Sequence, residues 1–513
     1  MTFKSSQPPF TKGGRGGIFA ARAGFAGGEA AMTNYKEVSL VIAFFTLIRL
    51  FVAPSFGLGV DEAHYILYAI HPALSYFDHP PLVGWLHAPF YYLWGTNELL
   101  ARLPAIILFA LTSFLAYRFT MAVSASKKIS LLAVLALNSS FMFNALSLML
   151  LPDSILLVLI FLFVFGVRKI EETPQLKYFI WLGLILGLAG LAKYTSILLV
   201  PPFLIYWILR RRYDLIVSKK MIAAAAIAFL LITPVLYWNL QNDWVSFRYQ
   251  GGHVFGSSSA KLLPFFISLA AQAGTYSPFL FAIALYGFIR SFRSPNDWVR
   301  LSLLVGGTIW AFFLYTSLYD VSLPHWGGPF YLLFIPLGVY FLSVDAGKAK
   351  RYLLNFSVGI SLVITLVLYA ELAGKWFTFP DFQSPFRDIY GWDTIAREAD
   401  EILKENPNRQ KALAVTEWTM GSRMIYYSLP YKNKVFVIDQ RKDQFDFWQK
   451  DSPLGYDILF VHSHFSNEDI AKKFRCDEAR VAKKIDILLH GAEVDTIEYV
   501  WCRNFQGPKD ENR

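Results

Sequence analysis

The sequence predicts an all-α polytopic membrane domain followed by a small α/β domain, and three observations support this fold class. Of the 513 residues, 55% are hydrophobic and only 17% are charged, against roughly 25% charged in a typical soluble protein. The apolar residues form long runs, such as Met221–Trp238 and Tyr352–Ala370, whose length fits a helix that crosses a bilayer. After about residue 375 these runs end and short strand-like segments begin.

The first part of the chain, residues 1–31, differs in composition from the remainder. It is rich in glycine and polar, and it has no apolar stretch long enough for a signal peptide. Met32 lies just before the first apolar run. We therefore interpret 1–31 as a disordered extension or a mis-called start; a mature native chain that begins at residue 1 or 2 would contradict this.

Residues 32–374 are predicted to form one membrane domain with about eleven transmembrane helices. The predicted spans lie near 38–56, 101–122, 129–148, 152–167, 177–192, 195–210, 220–238, 263–288, 301–319, 326–343 and 352–370. The fifth and sixth spans are short and meet at Lys193-Tyr194-Thr195. One broken or re-entrant unit is therefore an alternative to two separate helices.

The basic residues indicate how this domain is oriented. With a cytoplasmic N-terminus, alternation places five loops inside, and each of these loops is rich in Lys and Arg, as the positive-inside rule requires. The loop 57–100 and the C-terminal part are then extracytoplasmic. The net charge of +10 arises in these short loops, so we interpret it as a topology signal and predict no nucleic-acid partner.

The C-terminal part, residues 375–513, is predicted to be an extracytoplasmic α/β domain. Its predicted elements are strands at Lys411–Val415, Lys434–Ile438 and Asp457–His462 and an amphipathic helix at Thr394–Asn406. Both cysteines of the protein, Cys476 and Cys502, fall in this domain. An oxidising compartment would allow a disulfide between them, and two unpaired thiols are the equally weighted alternative.

The outer loop 57–100 carries the most unusual residues of the chain. It contains Asp61-Glu62-Ala63-His64-Tyr65 and then Tyr76-Phe77-Asp78-His79-Pro80-Pro81. Four of the nine histidines lie within it. A solvated loop with charges facing water is the structural alternative, but the rest of the loop is apolar and aromatic, which favours packing at the membrane face.

Further ionisable residues are predicted at the same outer face. Asp153 opens the fourth predicted span, where a helix cap is the alternative role. Lys193 interrupts apolar sequence and suits a phosphate partner, with a lysine snorkelling to the interface as the alternative. The segment Pro324-His325-Trp326 with Tyr331 also reaches this face, where an aromatic anchor is the alternative.

These residue types suit transfer of a sugar from a lipid phosphate. A carboxylate can take the proton of an acceptor hydroxyl, and cations can stabilise a leaving phosphate. Because that phosphate needs no proton, one base carboxylate suffices for an inverting displacement, unlike the two-carboxylate chemistry of glycoside hydrolysis. A divalent cation held by Asp61, Asp78 and His79 is a further hypothesis.

The two segments of the outer loop resemble the first outer loop of the ArnT-like and protein O-mannosyltransferase-like glycosyltransferases. Gly190-Leu191-Ala192-Lys193 is similar to the lysine segment of that family, and the resemblance covers roughly residues 35–345. It implies a GT-C fold and a polyprenyl- or dolichyl-phosphate sugar donor. One departure concerns the phosphate grip, because the narrower ArnT group has Arg and Lys where this chain has His64 and His79.

The resemblance also implies roles for individual residues. The catalytic residues would be Asp61, Glu62 and Asp153, with Asp61 as the base or its close partner. The substrate-binding residues would be His64, Tyr65, Asp78, His79, Lys193, His325, Trp326 and Tyr331. Among these, His64, His79 and Lys193 would hold the lipid phosphate, and Asp78 and Asp153 would shape the acceptor or metal site.

The sequence therefore predicts an inverting glycosyltransferase of the bacterial cytoplasmic membrane. Its donor would be an undecaprenyl-phosphate sugar, and its acceptor would be lipid A, another lipid or glycan, or a protein hydroxyl outside the cytoplasm. A flippase or transporter of lipid-linked sugars and a non-catalytic envelope assembly protein are the alternatives. A transporter is expected to show repeated halves, and no such repeat is visible in the sequence.

Overall fold

The computed structural model describes residues 35–255, 259–344, 347–408, 410–439, 441–466 and 469–509, without the side chains of 253–255. Glu37–Arg513 form one compact unit. The interpretation of residues 1–31 as an extension or a mis-called start lies outside the described residues. The described chain is mostly helical up to residue 374 and contains a β-sheet after residue 410, which confirms the predicted order of a helical domain and a small sheet domain.

The helical part contains seventeen helices in its described residues. They are α1 (Lys36–Val52), α2 (Val60–Ile70), α3 (Leu82–Trp94), α4 (Glu98–Ser124), α5 (Lys127–Asn138), α6 (Phe141–Leu148), α7 (Pro152–Glu172), α8 (Leu176–Ala192), α9 (Val200–Leu209), α10 (Tyr213–Ile216), α11 (Lys219–Gln241), α12 (Val245–Phe255), α13 (Leu262–Thr275), α14 (Pro278–Ser291), α15 (Asp297–Thr316), α16 (Gly328–Val344) and α17 (Lys348–Gly374). Short 3₁₀ turns at Ala53–Ser55, Tyr194–Leu199 and Pro324–Gly327 connect some of them.

The predicted number of spans is not confirmed. Six described helical segments are long and apolar enough to cross a membrane, namely those at 36–55, 98–124, 219–241, 297–316, 324–344 and 348–374. Two bent pairs, α5 with α6 at 73° and α13 with α14 at 109°, would raise the number to eight. The segments 176–192 and 194–209 are shorter apolar helices and are not among these candidate spans.

Helix α16 lies at the centre of the helical part. Nearly all of its side chains are buried, which is why its sequence is apolar all round rather than amphipathic. Glycines let α14 approach it closely: a Cβ added at Gly338 would lie 2.1 Å from the carbonyl oxygen of Ile283, and one at Gly287 would lie 2.6 Å from the nitrogen of Gly338. Such small-residue contacts are a common basis of helix packing in membranes.

The C-terminal domain contains a five-stranded mixed sheet. Its elements are α18 (Trp392–Glu405), β1 (Lys411–Val415), α19 (Trp418–Ser428), β2 (Val435–Val437), α20 (Phe445–Trp448), β3 (Asp457–Ser463), α21 (Ile470–Lys473), β4 (Glu478–Leu489) and β5 (Ala492–Arg503). The strand order is β2-β1-β3-β5-β4, with β1 parallel to β2 and β3, and β5 antiparallel to β3 and β4. The three predicted strands and the predicted helix are present. Cys476 and Cys502 form a disulfide with their Cα atoms 5.3 Å apart.

The C-terminal domain and the segment 57–100 share one hydrophobic core. Leu58, Ala63, Ile66 and Leu67 belong to the same buried cluster as side chains of α18, α19 and the sheet. The backbone N–H of Leu58 also donates to the hydroxyl of Tyr427 at 2.8 Å. Helix α2 is therefore held by the C-terminal domain on one side, so the position of its functional residues depends on both parts of the chain.

A buried ion pair holds the start of α2. The side chains of Arg102 and Glu62 are both 0% exposed, and the Nε of Arg102 lies 2.8 Å from Oε1 of Glu62. The guanidinium also donates to the carbonyl oxygens of Ala53, Phe56 and Gly57. These bonds satisfy the buried charge of Arg102 and connect α4, α2 and the turn after α1.

We predict that Arg102→Met destabilises the protein by about 3–5 kcal/mol, because it leaves the Glu62 carboxylate buried and unpaired. The measurement is chemical denaturation of the full chain in detergent. The control is Lys483→Met, which breaks an exposed pair with Glu398 and should change stability by less than about 1 kcal/mol. Equal stability of the two variants would show that the buried pair does not hold α2.

Candidate active site

Helix α2 presents its polar side chains on different faces. Asp61, Tyr65 and Tyr68 are spaced by four and three residues and so share one face, whereas Glu62 lies about 100° further around the helix. The chain folds this way because Ala63, with Ile66 and Leu67, is buried against the C-terminal domain. The face with Asp61 is thereby left toward the ends of the membrane helices.

Asp61 is a partly exposed carboxylate. Within the described part of the chain, no side chain or backbone group makes a hydrogen bond or ion pair with it. It is nevertheless close enough to Tyr65 and His325 for its charge to act on both. A carboxylate in this state has free lone pairs to accept a proton or a hydrogen bond from a substrate.

Glu62 does not join Asp61. Its carboxylate is enclosed by Arg102 and by the backbone N–H of Gly59, which donates to Oε2 at 3.2 Å. Burial raises the pKa of Glu62, and the guanidinium of Arg102 offsets part of that rise. The predicted catalytic pair of adjacent acids is therefore divided: one carboxylate faces the candidate site and the other is enclosed in a structural ion pair.

Asp78 is held by side chains from three directions. The hydroxyl of Tyr68 donates to Oδ1, and Oδ2 lies 3.2 Å from Nδ1 of His79 and 3.5 Å from Nε2 of His64. Burial alone would raise the pKa of Asp78, but the two histidines lower it well below its ordinary value. Asp78 is therefore ionised at neutral pH and orients both rings.

The two histidines that were predicted to hold phosphate occupy different environments. His64 is buried, with Nδ1 3.1 Å from the hydroxyl of Ser422 on α19 and Nε2 facing Asp78. His79 is 21% exposed at its side chain, and its Nδ1 contacts Asp78 and, at 3.4 Å, the hydroxyl of Tyr65. Its Nε2 makes no hydrogen bond to any described residue, so only His79 offers a ring nitrogen to a ligand.

Asp153, Lys193 and His325 meet where α7 begins, α8 ends and α16 begins. The ammonium of Lys193 lies 2.7 and 2.8 Å from the two carboxylate oxygens of Asp153. Nε2 of His325 lies 3.8 Å from Oδ2 of the same carboxylate, and the ammonium is 5.9 Å from the centre of the Trp326 ring. Asp153 makes no capping hydrogen bond to the start of α7, so the alternative role as a helix cap is not observed.

Tyr331 lies beneath this group rather than on its surface. Its hydroxyl donates at 2.8 Å to Oε1 of Gln272, which also accepts from Nε1 of Trp310 at 3.1 Å. Its ring stacks on Tyr276 with centres 3.8 Å apart. Gln272 was not among the predicted residues. Its position inside the apolar helix α13 could have indicated it, because a polar residue within a membrane helix often has a functional role.

The predicted residues from five separated segments therefore converge. Asp153 lies close enough to Lys193, His325 and His79 to interact with them electrostatically. His325 interacts in the same way with Asp61. Glu62 and Tyr331 do not present polar atoms to this cluster, which consists of Asp61, Asp78, His79, Asp153, Lys193 and His325. We call these six residues the outer-face cluster.

The proposed metal site is not formed by this geometry. In the described ranges, no group of three or more His, Cys, Asp or Glu side chains is arranged to hold a metal ion. Asp78 and His79 contact each other, and the oxygens of Asp78 are already occupied by Tyr68 and the two histidines. Asp61 does not complete a set with them, so the three do not act as a ligand triad here.

The sequence of this chain is similar to those of known glycosyltransferases. The family model described as "Dolichyl-phosphate-mannose-protein mannosyltransferase" matches residues 78–238. The lipid A galacturonosyltransferase RgtD of Rhizobium johnstonii is 27% identical over 388 residues, which cover 71% of this chain and 77% of that protein. An undecaprenyl phosphate-α-4-amino-4-deoxy-L-arabinose arabinosyl transferase of Proteus mirabilis is 24% identical over 301 residues, 57% of this chain and 49% of that protein.

The fold is similar to that of a solved enzyme. The crystal structure of ArnT from Cupriavidus metallidurans bound to undecaprenyl phosphate aligns with a TM-score of 0.64 and 12% identity, over 91% of this chain and 98% of ArnT. Its apo form aligns equally well, at 13% identity. The helical part, the C-terminal sheet and the matched family residues thus agree on one assignment. The chain is an enzyme, a membrane glycosyltransferase with the fold of ArnT, and its sequence is similar to those of the ArnT-like and protein O-mannosyltransferase-like glycosyltransferases.

Proposed function

We propose that this enzyme moves a sugar from a polyprenyl phosphate, such as undecaprenyl phosphate, to a hydroxyl of an extracytoplasmic acceptor with inversion at the anomeric carbon. The observation that carries the proposal is the outer-face cluster, in which the unpaired carboxylate of Asp61 faces a group that contains the Lys193 ammonium and the ring of His79. Lipid A is the acceptor we favour, since a relative whose match covers 71% of this chain is named for it.

The proposed reaction needs one base and a stabilised leaving group. Asp61 accepts the proton of the acceptor hydroxyl while that oxygen bonds to the anomeric carbon. The bond between this carbon and the phosphate oxygen breaks, and its electron pair leaves with the polyprenyl phosphate. No acid is needed on the leaving side, because the phosphate departs as a stable anion.

Lys193 and His79 are the proposed phosphate ligands. Two of the three N–H groups of Lys193 are directed at Asp153, and the third has no partner in the described part of the chain. Nε2 of His79 is likewise available. An ammonium and a ring N–H beside a developing phosphate charge stabilise it in the way that fixed donors stabilise an oxyanion. Asp153 then serves to hold the Lys193 ammonium in place.

The remaining predicted residues receive supporting roles in this proposal. Asp78 orients His79 through their direct contact. His64 contacts both Asp78 and Ser422, and so links this group to the C-terminal domain. Glu62 stabilises α2 through Arg102. His325, Trp326 and Tyr65 line the cluster, and Tyr331 supports the segment that carries His325. The proposed membrane domain comprises residues 32–374, and the proposed extracytoplasmic domain comprises residues 375–513.

We predict that Asp61→Asn lowers the transfer rate by roughly 10²- to 10⁴-fold, which is the usual contribution of a general base. The measurement is transfer from radiolabelled undecaprenyl-phosphate sugars to lipid A by the purified enzyme. Asp320→Asn, which alters an exposed acid on another outer loop, is the matched control and should keep the rate within about two-fold. Unchanged transfer by Asp61→Asn would rule out Asp61 as the base.

Lys193 gives a second prediction, which separates catalysis from stability. Lys193→Met should lower transfer and also destabilise the protein, because it leaves Asp153 buried without its partner. Adding Asp153→Asn removes that unpaired charge, so the double variant should recover stability but not transfer. Recovery of transfer by the double variant would contradict phosphate binding by Lys193.

The proposed orientation has a cytoplasmic N-terminus and an extracytoplasmic C-terminal domain in the bacterial cytoplasmic membrane. Its support is the alternation of Lys- and Arg-rich loops with loops of the outer-face cluster. In a variant without Cys476 and Cys502, the substitution Ser452→Cys at an exposed position should allow reaction with a membrane-impermeant maleimide added to spheroplasts. The variant Ser126→Cys should react only after lysis, and the reverse pattern would invert the orientation.

A further inference from the structure

A cavity of about 400 Å³ lies between the C-terminal domain and the outer ends of the helical part. It is separate from the outer-face cluster and none of the predicted site residues line it. Its walls include Trp238 at the end of α11, His71 at the end of α2, and Phe447, Trp448 and Lys450 of the C-terminal domain. The volume is within the range of small-molecule sites in proteins.

Aromatic rings form much of this cavity. Trp238 and Phe447 contact each other across the two parts of the chain, with ring centres 5.7 Å apart. Trp448 stacks on His71 with ring centres 4.9 Å apart. Flat aromatic faces of this kind pack against the C–H faces of sugar rings, and the polar edge of each indole remains available to hydroxyl groups.

Polar groups without partners lie among these rings. Gln444 also lines the cavity and is only 3% exposed, and its amide nitrogen makes no hydrogen bond to any residue in the described ranges. The ammonium of Lys450 and the ring nitrogens of His71 also lack hydrogen-bonding partners there. Asn242 donates to the carbonyl of Trp238 at 2.8 Å, which leaves its side-chain oxygen free to accept.

This combination of unpaired donors and acceptors identifies the chemical class of the ligand. A simple anion could use the donors but would be repelled by the oxygen of Asn242, and an apolar chain could use neither. A sugar hydroxyl both donates and accepts, so a saccharide satisfies all of these groups while its ring faces pack on the tryptophans. The Lys450 ammonium at the rim suits a saccharide with an anionic substituent.

The cavity is connected to the outer-face cluster through two side chains. Oε1 of Gln444 accepts from the backbone N–H of Phe77 at 2.6 Å, directly before Asp78. Trp448 has its ring centre 5.9 Å from that of His64 and 5.8 Å from that of Tyr68. The ring that forms the cavity wall therefore packs on residues that hold Asp78.

We infer that this cavity is a saccharide subsite, which binds the sugar head group of the acceptor and holds it beside the outer-face cluster. The inference rests on the proposed function for the identity of the acceptor. Saccharide chemistry is also present in the donor, so the experiment must distinguish the two sources. An acceptor saccharide bound here would contact the C-terminal domain, which gives that domain a role in choosing the acceptor.

The test uses the full chain in detergent and two conservative changes of the cavity, Lys450→Met and Asn242→Ala. The first measurement is calorimetric binding of deacylated lipid A, the water-soluble head group without acyl chains. We expect roughly ten-fold weaker binding for each variant, as for loss of a hydrogen bond to a charged or polar ligand group. Lys432→Met, which changes an exposed lysine of the same domain that has no partner in the described ranges, should bind like the unaltered protein.

The second measurement is transfer kinetics with the same variants. The KM for lipid A should rise by a similar factor, while kcat and the KM for the undecaprenyl-phosphate sugar stay the same. Unchanged binding in both variants, or no binding of the head group to the unaltered protein, would overturn the subsite. A rise in the donor KM instead would overturn its assignment to the acceptor. Failure of the proposed function is a different result, namely no transfer, or transfer that survives Asp61→Asn.

Discussion

The ion pair between Arg102 and Glu62 is the interaction on which the outer-face cluster depends. Arg102 belongs to a membrane helix and Glu62 to α2, and both side chains are fully enclosed. Such a pair contributes little net free energy compared with an apolar contact, but it is costly to break. Its consequence is geometric: the guanidinium, which belongs to α4, binds carbonyl groups in the turn after α1 and a carboxylate on α2, and it thereby fixes the position of α2.

Once α2 is fixed, helical geometry separates the roles of its residues. Glu62 faces inward to Arg102, Ala63 and Ile66 face the C-terminal domain, and Asp61 is left toward the membrane helices. The C-terminal domain therefore helps to hold the candidate site in place. Ser422 and Gln444 come from that domain, yet they contact His64 and the backbone beside Asp78.

The cluster also shows how paired charges can lie near a membrane surface. Lys193 is paired with Asp153, and Asp78 contacts Tyr68, His64 and His79, whereas the carboxylate of Asp61 has no hydrogen-bonding or ionic partner among the described residues. In the proposed reaction a phosphate would enter as a further partner of Lys193 and His79. The site is in this sense preorganised, since the Lys193 ammonium and the His79 ring are already oriented by acids before a substrate arrives.

Much of this protein was determined by its sequence alone. Long apolar runs predict membrane helices because each residue inside a bilayer must be apolar or internally bonded. The change at residue 375 predicted the sheet domain, and the resemblance in the segments around Asp61 and Asp78 indicated a glycosyltransferase. Ionisable residues at the ends of apolar runs predicted Asp153, Lys193 and His325, because charges there are costly unless they are used.

Tertiary structure decided which of these side chains meet and which turn away. Asp61 and Glu62 are adjacent and chemically alike, and only the position of Arg102 in another helix separates them. His64 and His79 are also separated by tertiary structure. The C-terminal domain buries His64, whereas His79 stays accessible. The bends at 73° and 109° and the saccharide cavity also depend on packing between distant segments, for which local sequence contains no signal.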